Sequence, residues 1–374
     1  MSEPGQRRLR PHACGFGHRE AEAARCEPAL SGTTVVDLTT GIDGPYCTKL
    51  LADQGAAVLK VEPPGGDPSR RVGPFPGDVE DPERSALFIY LNANKRLTAT
   101  PDLDRAHALV ANGALDVEAL RARHPHLVIV SITPFGRTGP YADYKAPDLV
   151  RQALSGWLWQ GGFPDAPPLR AGGELSQYVT GVCAAVATAL ALHHARATGE
   201  GQHVDVSALE ALTTCAGQEG TRFHVDGPDA VFRRMGHGTL PYAILPCRDG
   251  WVGVSVLTQP HWEGLCDWIG RRDLLELIPR VETLRAATVD RRHAREATDA
   301  VAAWLAGREK VPVVEQAQAR RIPFALVPEM HDLLELPQFT ARGFIVEADH
   351  PLTGRHRQPG APFRMSRSPW VGVS

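Results

Sequence analysis

With 374 residues the chain is long enough for about two domains with sizeable cores. Hydrophobic residues make up 43% and charged residues 22%, near the averages of soluble globular proteins, which excludes a disordered or fibrous chain. A formal net charge of -3 creates no field favouring nucleic acid or an anionic membrane, so neither is expected as a partner.

The longest apolar run, 182–192, is shorter than a membrane span, and the basic N-terminal stretch lacks the apolar segment of a secretory signal. The seven cysteines form no Cys-x-x-Cys pair, the pattern of reduced thiols in a cytoplasmic protein. Residues 1–29 are rich in Arg, Ala and Glu without periodicity and read as a flexible arm. Within it His12, Cys14, His18 and Cys26 match no zinc-finger spacing, and no metal is expected.

Thr33 to Leu38 is β-branched and apolar, a buried strand. Gly44-Pro45 then opens a helix that Gly55 stops near Gln54. Ala57 to Val61 is a second strand, so a strand–helix–strand unit begins a parallel sheet. Another strand spans Leu127 to Ile132. The segment from Glu174 to about Arg196 reads as the strongest helix, with Leu175, Val179, Val182, Val186 and Leu190 on one face expected to meet the core. Thr198-Gly199-Glu200-Gly201 turns the chain into a strand at 202–206. Further on, Tyr242 to Leu245 and Trp251 to Val256 flank Arg248-Asp249-Gly250, a hairpin signal. Helices near 260–270 and 294–306 complete a smaller α+β domain, and strands at 324–327 and 344–347 are expected to return to the first. The expected division is an arm at 1–29, a large Rossmann-like domain at 30–211, a linker at 212–237, a small domain at 238–321 and a return to the large domain at 322–374.

Standard cofactor and nucleophile motifs are absent: no Gly-x-Gly-x-x-Gly after the first strand, no Walker loop, no His-Glu-x-x-His and no Gly-x-Ser-x-Gly. His193 and His194 are adjacent on a helix and cannot share one face as ligands. Trp157, Trp159, Phe163 and the prolines of 164–168 are open to two readings, an acyl pocket or ordinary packing.

Several segments together carry a resemblance. They are Val35-Val36-Asp37-Leu38 with Gly44-Pro45, the run Leu59 to Pro68, Asn92-Ala93-Asn94-Lys95-Arg96, and Phe135 to Pro140. Asp148 with Gln152 to Gly156, Thr198 to Ser207, and Gly360-Ala361-Pro362-Phe363 follow in order. Over roughly 32–365 the chain resembles the family III CoA-transferases of CaiB/BaiF type, a group that includes formyl-CoA transferase, carnitine CoA-transferase and α-methylacyl-CoA racemase. The resemblance implies an α/β fold with a Rossmann-like large domain and a small α+β domain, as an interlocked dimer. It implies acyl-CoA and a carboxylic acid as substrates, with no tightly bound cofactor. It also implies a carboxylate nucleophile passing through an anhydride and an enzyme–CoA thioester, with an oxyanion site to steady the tetrahedral states.

The resemblance places the nucleophile at the start of the long helix, where the family's Gly-Asp reads Gly172-Gly173-Glu174, so Glu174 is the expected catalytic carboxylate. Its intrinsic acidity is close to that of aspartate, roughly 4.3 against 3.9, but one extra methylene shifts the oxygens by about 1 Å, enough to cost about 100-fold. Arg70, Arg71, Lys95 and Arg96 are the expected partners of CoA phosphates. Asp148 matches a family acid near the site, and Gly236-His237-Gly238 matches a glycine loop that closes over it. Asp43, with Ile42, stands where formyl-CoA transferase carries Gln-Ala, and tolerates an anionic ligand only if it faces a basic group. Between 97 and 127 the family's strand and turn, which carry CoA contacts, read as missing. Pro147, before Asp148, replaces the histidine that racemase chemistry needs. The main alternative to a working transferase is an impaired or repurposed member, such as the inactive subunit of a hetero-oligomer with an active paralogue.

Overall fold

In the computed structural model the described residues are 26–162, 166–215, 221, 224, 225, 242–281 and 290–373. The chain divides into two units. The first holds residues up to Trp157, Arg170–Thr221 and Thr340 onward, and the second holds Leu158–Leu169 and Arg222–Phe339.

The first unit is built on a six-stranded parallel sheet. Its strands are β1 (Thr34–Asp37), β2 (Ala57–Lys60), β3 (Lys95–Leu97), β4 (Ala108–Ala111), β5 (Val128–Thr133) and β6 (His203–Ser207), in the order β3-β2-β1-β4-β5-β6. This is the doubly wound order, and its direction of winding reverses between β1 and β4. Val35, Val36, Ala108, Val110, Val128, Ile129 and Val130 are fully enclosed, as strands covered on both faces must be. Helix α1 (Asp43–Asp53) follows β1, with Pro45 in its first turn, where a missing N–H costs nothing. It ends before Gly55, whose φ of +92 suits only glycine. Four further helices matter below: α2 (Ala86–Asn92), α3 (Val117–Arg123), α4 (Asp148–Leu154) and α5 (Trp157–Gln160).

The 24-residue α6 (Leu175–Thr198) lies against α1, followed after β6 by α7 (Ala208–Cys215). Its buried face is not the expected apolar stripe. Ser176, Thr180, Gly181, Ala184, Thr188 and Ala191 face inward, while Val182, Val186 and Leu190 are 43%, 56% and 66% exposed. The cause is close approach: a Cβ at Gly181 would lie 2.6 Å from the Asp43 carbonyl oxygen, so only small residues fit between α1 and α6. By length and composition α6 could cross a membrane, which the short 182–192 run did not suggest, yet here it is the helix packed on α1 and β5.

The expected loss of a strand is also corrected. β4 is present, paired in parallel with β1 over three residues and with β5 over four, and the crossover 98–107 that leads to it carries no helix.

The second unit pairs β7 (Tyr242–Cys247), β8 (Gly250–Ser255) and β9 (Phe324–Val327) as an antiparallel sheet. Helices Gln259–Ile269 and Arg291–Leu305 pack on it through Trp262, Leu265, Val301 and Leu305. Phe324–Val327 thus stays in the small sheet, because Phe324 joins the Trp262 core, and the return to the first unit begins at Thr340 rather than 322. There β10 (Ile345–His350) and β11 (Gly354–Pro359) form a hairpin. Cys26 is disulfide-bonded, so the reading of all seven cysteines as reduced thiols fails at that position; Cys47, Cys183, Cys215, Cys247 and Cys266 are free. Most of the arm, most of the expected linker, and Phe163, lie outside the described residues.

Candidate active site at the head of the long helix

A doubly wound sheet binds ligands outside the carboxyl ends of its strands, where the winding reverses. Here that crevice lies beyond β1 and β4. The turn after β1 sits on a buried ionic cluster centred on Asp37, which accepts from Thr48 Oγ1 at 2.6 Å, Thr39 N at 2.9 Å and Lys95 Nζ at 3.0 Å. Burial pushes the Asp37 carboxyl up, but Lys95, Lys60 and the two threonine hydroxyls outweigh it and hold it below its ordinary value. Burial pulls the Lys95 ammonium down to about 8, only partly offset by Asp37. Lys95 also donates to the Pro45 carbonyl at 2.8 Å and to Asn92 Oδ1 at 3.0 Å. Its side chain is 1% exposed, so it fixes the β1–α1 turn from inside and is not open to a CoA phosphate.

Arg70 is likewise engaged. It grips Glu62 through Nε and Nη2 at 2.8 and 2.9 Å, meets Glu83 at 3.1 Å and stacks 3.7 Å over the Phe88 ring. Arg71 and Arg96 are exposed, and remain the sequence-predicted cations open to an anion. Gly236, His237 and Gly238 lie outside the described residues.

Asp43 is buried at the start of α1 and faces a basic residue: Arg151 Nη1 of α4 donates to its Oδ2 at 2.9 Å. Its Oδ1 accepts from its neighbour Gly44 N at 2.7 Å and from Asn112 Nδ2, just past β4, at 3.0 Å. Asn112 also bonds both backbone groups of Thr40, at 3.0 and 2.7 Å, and so ties the ends of β1 and β4 together.

One turn away on α4, the buried Asp148 organises the head of α6. Its Oδ1 accepts from Ser176 N at 3.1 Å and from Ser176 Oγ, and its Oδ2 accepts from Gln152 Nε2 at 2.6 Å. It thereby caps a helix whose own first position supplies no side-chain cap. Arg170 links this carboxylate to the next: Nε lies 3.2 Å from Asp148 Oδ2, and Nη2 lies 2.6 Å from Glu174 Oε1. Glu174 Oε2 accepts from Gln177 Nε2 at 2.8 Å.

Glu174 has a left-handed backbone, φ 55 and ψ 34, directly after Gly173 at φ 72. A non-glycine residue there carries a strain of about 1 kcal/mol or more. The surrounding bonds over-determine that conformation and leave a carboxylate 40% exposed at a helix N-terminus. A carboxylate so placed has the positive end of the helix behind it. Asn112, Arg151, Arg170 and Gln177 were not singled out from sequence; Arg170 was detectable only as the residue four before Glu174. Among the described residues no group of three or more His, Cys, Asp or Glu side chains converges as a metal site.

The fold defines the class, a doubly wound α/β protein, with a left-handed acidic residue at the head of its longest helix. The sequence profile of CoA-transferase family III matches residues 30–111 and 105–373, two pieces that meet at β4. The chain is 32% identical over 368 residues to the succinyl-CoA:mesaconate CoA-transferase of Haloarcula marismortui, covering 91% of both. It is 28% identical to the succinate–glutarate CoA-transferase of Agrobacterium fabrum, covering 86% of both. To subunit BbsE of the succinyl-CoA:(R)-benzylsuccinate CoA-transferase of Thauera aromatica it is 31% identical, covering 90% of this chain and 88% of that one. The crystal structure of a CAIB/BAIF family protein from Brucella suis superposes with a TM-score of 0.77 at 26% identity, covering 92% and 94% of the two chains. The chain belongs to CoA-transferase family III.

Proposed function

We propose that this chain transfers CoA from an acyl-CoA to a carboxylic acid, with Glu174 as the attacking carboxylate. The observation that carries the reading is the strained, half-exposed Glu174 at the head of α6, with Arg170 on one oxygen and Gln177 on the other. A Glu174 oxygen attacks the thioester carbonyl, the C–S bond breaks, and CoA leaves as thiolate from an acyl–glutamyl anhydride. The thiolate then attacks the glutamyl carbonyl and releases the donor acid, leaving a glutamyl–CoA thioester. The acceptor carboxylate attacks that thioester, expels CoA thiolate and forms a second anhydride. Attack of the thiolate on the acceptor's acyl carbon releases the new acyl-CoA and restores Glu174. In this scheme Arg170 and Gln177 orient the carboxylate between turns of the cycle, and Asp148 fixes Arg170. The exposed Arg71 and Arg96 are the CoA phosphate contacts.

The names of the relatives favour dicarboxylic acids, so succinyl-CoA is the first donor to test. The test is separation of CoA thioesters after incubation of the protein with succinyl-CoA and a panel of carboxylic acids. A new acyl-CoA that is absent with Glu174→Gln supports the reading, and no exchange with any donor counts against it.

A second reading, a non-catalytic subunit beside an active paralogue, is favoured by one observation: a relative of 31% identity is itself described as a subunit. In either case a second chain is expected on α6, where Val182, Val186 and Leu190 form an exposed apolar stripe. Val186→Asp should turn an oligomer into a monomer by light scattering; an unchanged mass would place the interface elsewhere.

A further inference from the structure

Three tyrosines from three helices of the first unit gather beside Glu174. Tyr178 stands one turn along α6 from Glu174, and its ring meets that of Tyr46 in α1 edge-to-face, with centroids 4.9 Å apart and planes at 82°. Tyr46 lies on α6 at Gly181, where a Cβ would come within 3.2 Å of the Tyr46 Cβ and Cδ1, so the missing side chain makes room for the ring. One turn further along α1, Lys49 holds its ammonium 4.9 Å over the ring of Tyr90 in α2. Tyr90 in turn lines a mainly apolar chamber of about 440 Å³, the size of a small-molecule site, together with Phe75, Ile89 and the prolines at 74, 76 and 359.

The three hydroxyls have no hydrogen-bond partner among the described residues, yet none of them is sealed from solvent, and the rings are only half-buried. Burial raises all three phenols above their ordinary value, helped at Tyr46 by the Asp53 charge and at Tyr178 by Tyr46 and Glu174, so they remain protonated. The cations that touch this group are already paired. Lys49 is held by Asp53 at 2.6 Å, and Arg170 by Glu174 at 2.6 Å and Asp148 at 3.2 Å. A second carboxylate on a bound acid would meet neutral phenols at the tyrosines, whereas an aromatic ring would meet edges and faces that it packs against well.

We propose that Tyr178 and Tyr46, continued by Tyr90, are the specificity surface for the acceptor acid, and that this acid carries an aromatic ring on a short alkyl chain. The inference rests on the reading of Glu174 as the attacking carboxylate, since it places the acid's own carboxylate there. In the enzyme–CoA thioester that the acceptor attacks, Glu174 carries no charge, so Glu174→Gln presents the site as the acceptor meets it.

The test is calorimetric titration of the full Glu174→Gln chain with 3-phenylpropionate, hexanoate and succinate. The expected result is that 3-phenylpropionate binds about tenfold more tightly than either of the others. Tyr178→Leu in the same chain should remove that preference, and Tyr178→Phe, which keeps the ring, should retain it. No binding of any of the three, succinate or hexanoate bound as tightly as 3-phenylpropionate, or a preference that survives Tyr178→Leu would overturn the proposal. The comparison of the three acids is decisive by itself if Tyr178→Leu fails to fold. The titration needs no turnover: a preference for 3-phenylpropionate in a protein that exchanges no CoA would count against the transfer reading alone, and exchange without the preference would count against this proposal alone.

Discussion

Arg170 donates to two carboxylates at once, and this distinguishes Glu174 from an ordinary acid at a helix start. If the bridge orients the nucleophile, Arg170→Met should lower kcat about 10- to 100-fold with little change in the KM for acyl-CoA, and Arg170→Lys should recover part of the loss. Equal kcat in Arg170→Met and wild type would show the bridge to be a surface ion pair of little consequence, as most exposed pairs are. At this scale the sequence displays the acids but not their partners. Asp43, Asp148 and Glu174 stand at helix starts, a position with a local signal. Arg151 reaches Asp43 across 108 residues and Asn112 reaches it across 69, so only the folded sheet brings them together. The same blindness explains Lys95 and Arg70: a cation is visible in a sequence, but the carboxylate that engages it is not.

Helices α1 and α6 approach closely enough that backbone, not side chain, decides what fits. A Cβ at Gly44 would lie 2.2 Å from the Thr39 Cβ, and neither atom belongs to a flexible chain end. Gly44→Ala should therefore destabilise the protein by about 1–3 kcal/mol, measured as a lowered urea midpoint at constant m-value; an unchanged midpoint would mean that the β1–α1 turn yields. The extent of α6 is legible from its length and apolar content, yet its orientation is not. Periodicity identifies a Leu/Val stripe, whereas the packed stripe is the Thr/Gly/Ala one, selected by the proximity of α1. β1, β2, β5 and the β7–β8 hairpin are legible because β-branched runs end in turn residues. β4 is not, since Ala108-Leu109-Val110-Ala111 has a single β-branched residue and becomes a strand by pairing with β1 on one side and β5 on the other.

Across the whole molecule, carboxylates engaged by cations tie stability to pH. Asp37, Asp67 and Glu62 are all held below their ordinary values; burial raises each, but Lys95 and Lys60, Lys60, and Arg70 respectively prevail. A depressed carboxylate adds stability that is complete above its unfolded value and is lost as pH falls through the folded one. Unfolding free energy should therefore drop as the pH falls below about 4, less steeply in Glu62→Gln; a slope unchanged by that variant would remove Glu62 from the account. Fold class and the two-unit division are legible from the order of strands and helices. The boundary at Thr340 is not, because Phe324–Val327 reads equally well as a strand of either sheet until Phe324 meets its core.

Covalent capture of CoA tests the central claim most directly. The full chain, incubated with succinyl-CoA and measured by intact-mass spectrometry, should gain a CoA or acyl adduct that hydroxylamine removes, that maps to the peptide carrying Glu174, and that is absent in Glu174→Ala. An unmodified mass under conditions where calorimetry registers CoA binding would contradict a nucleophilic Glu174 and favour the non-catalytic subunit.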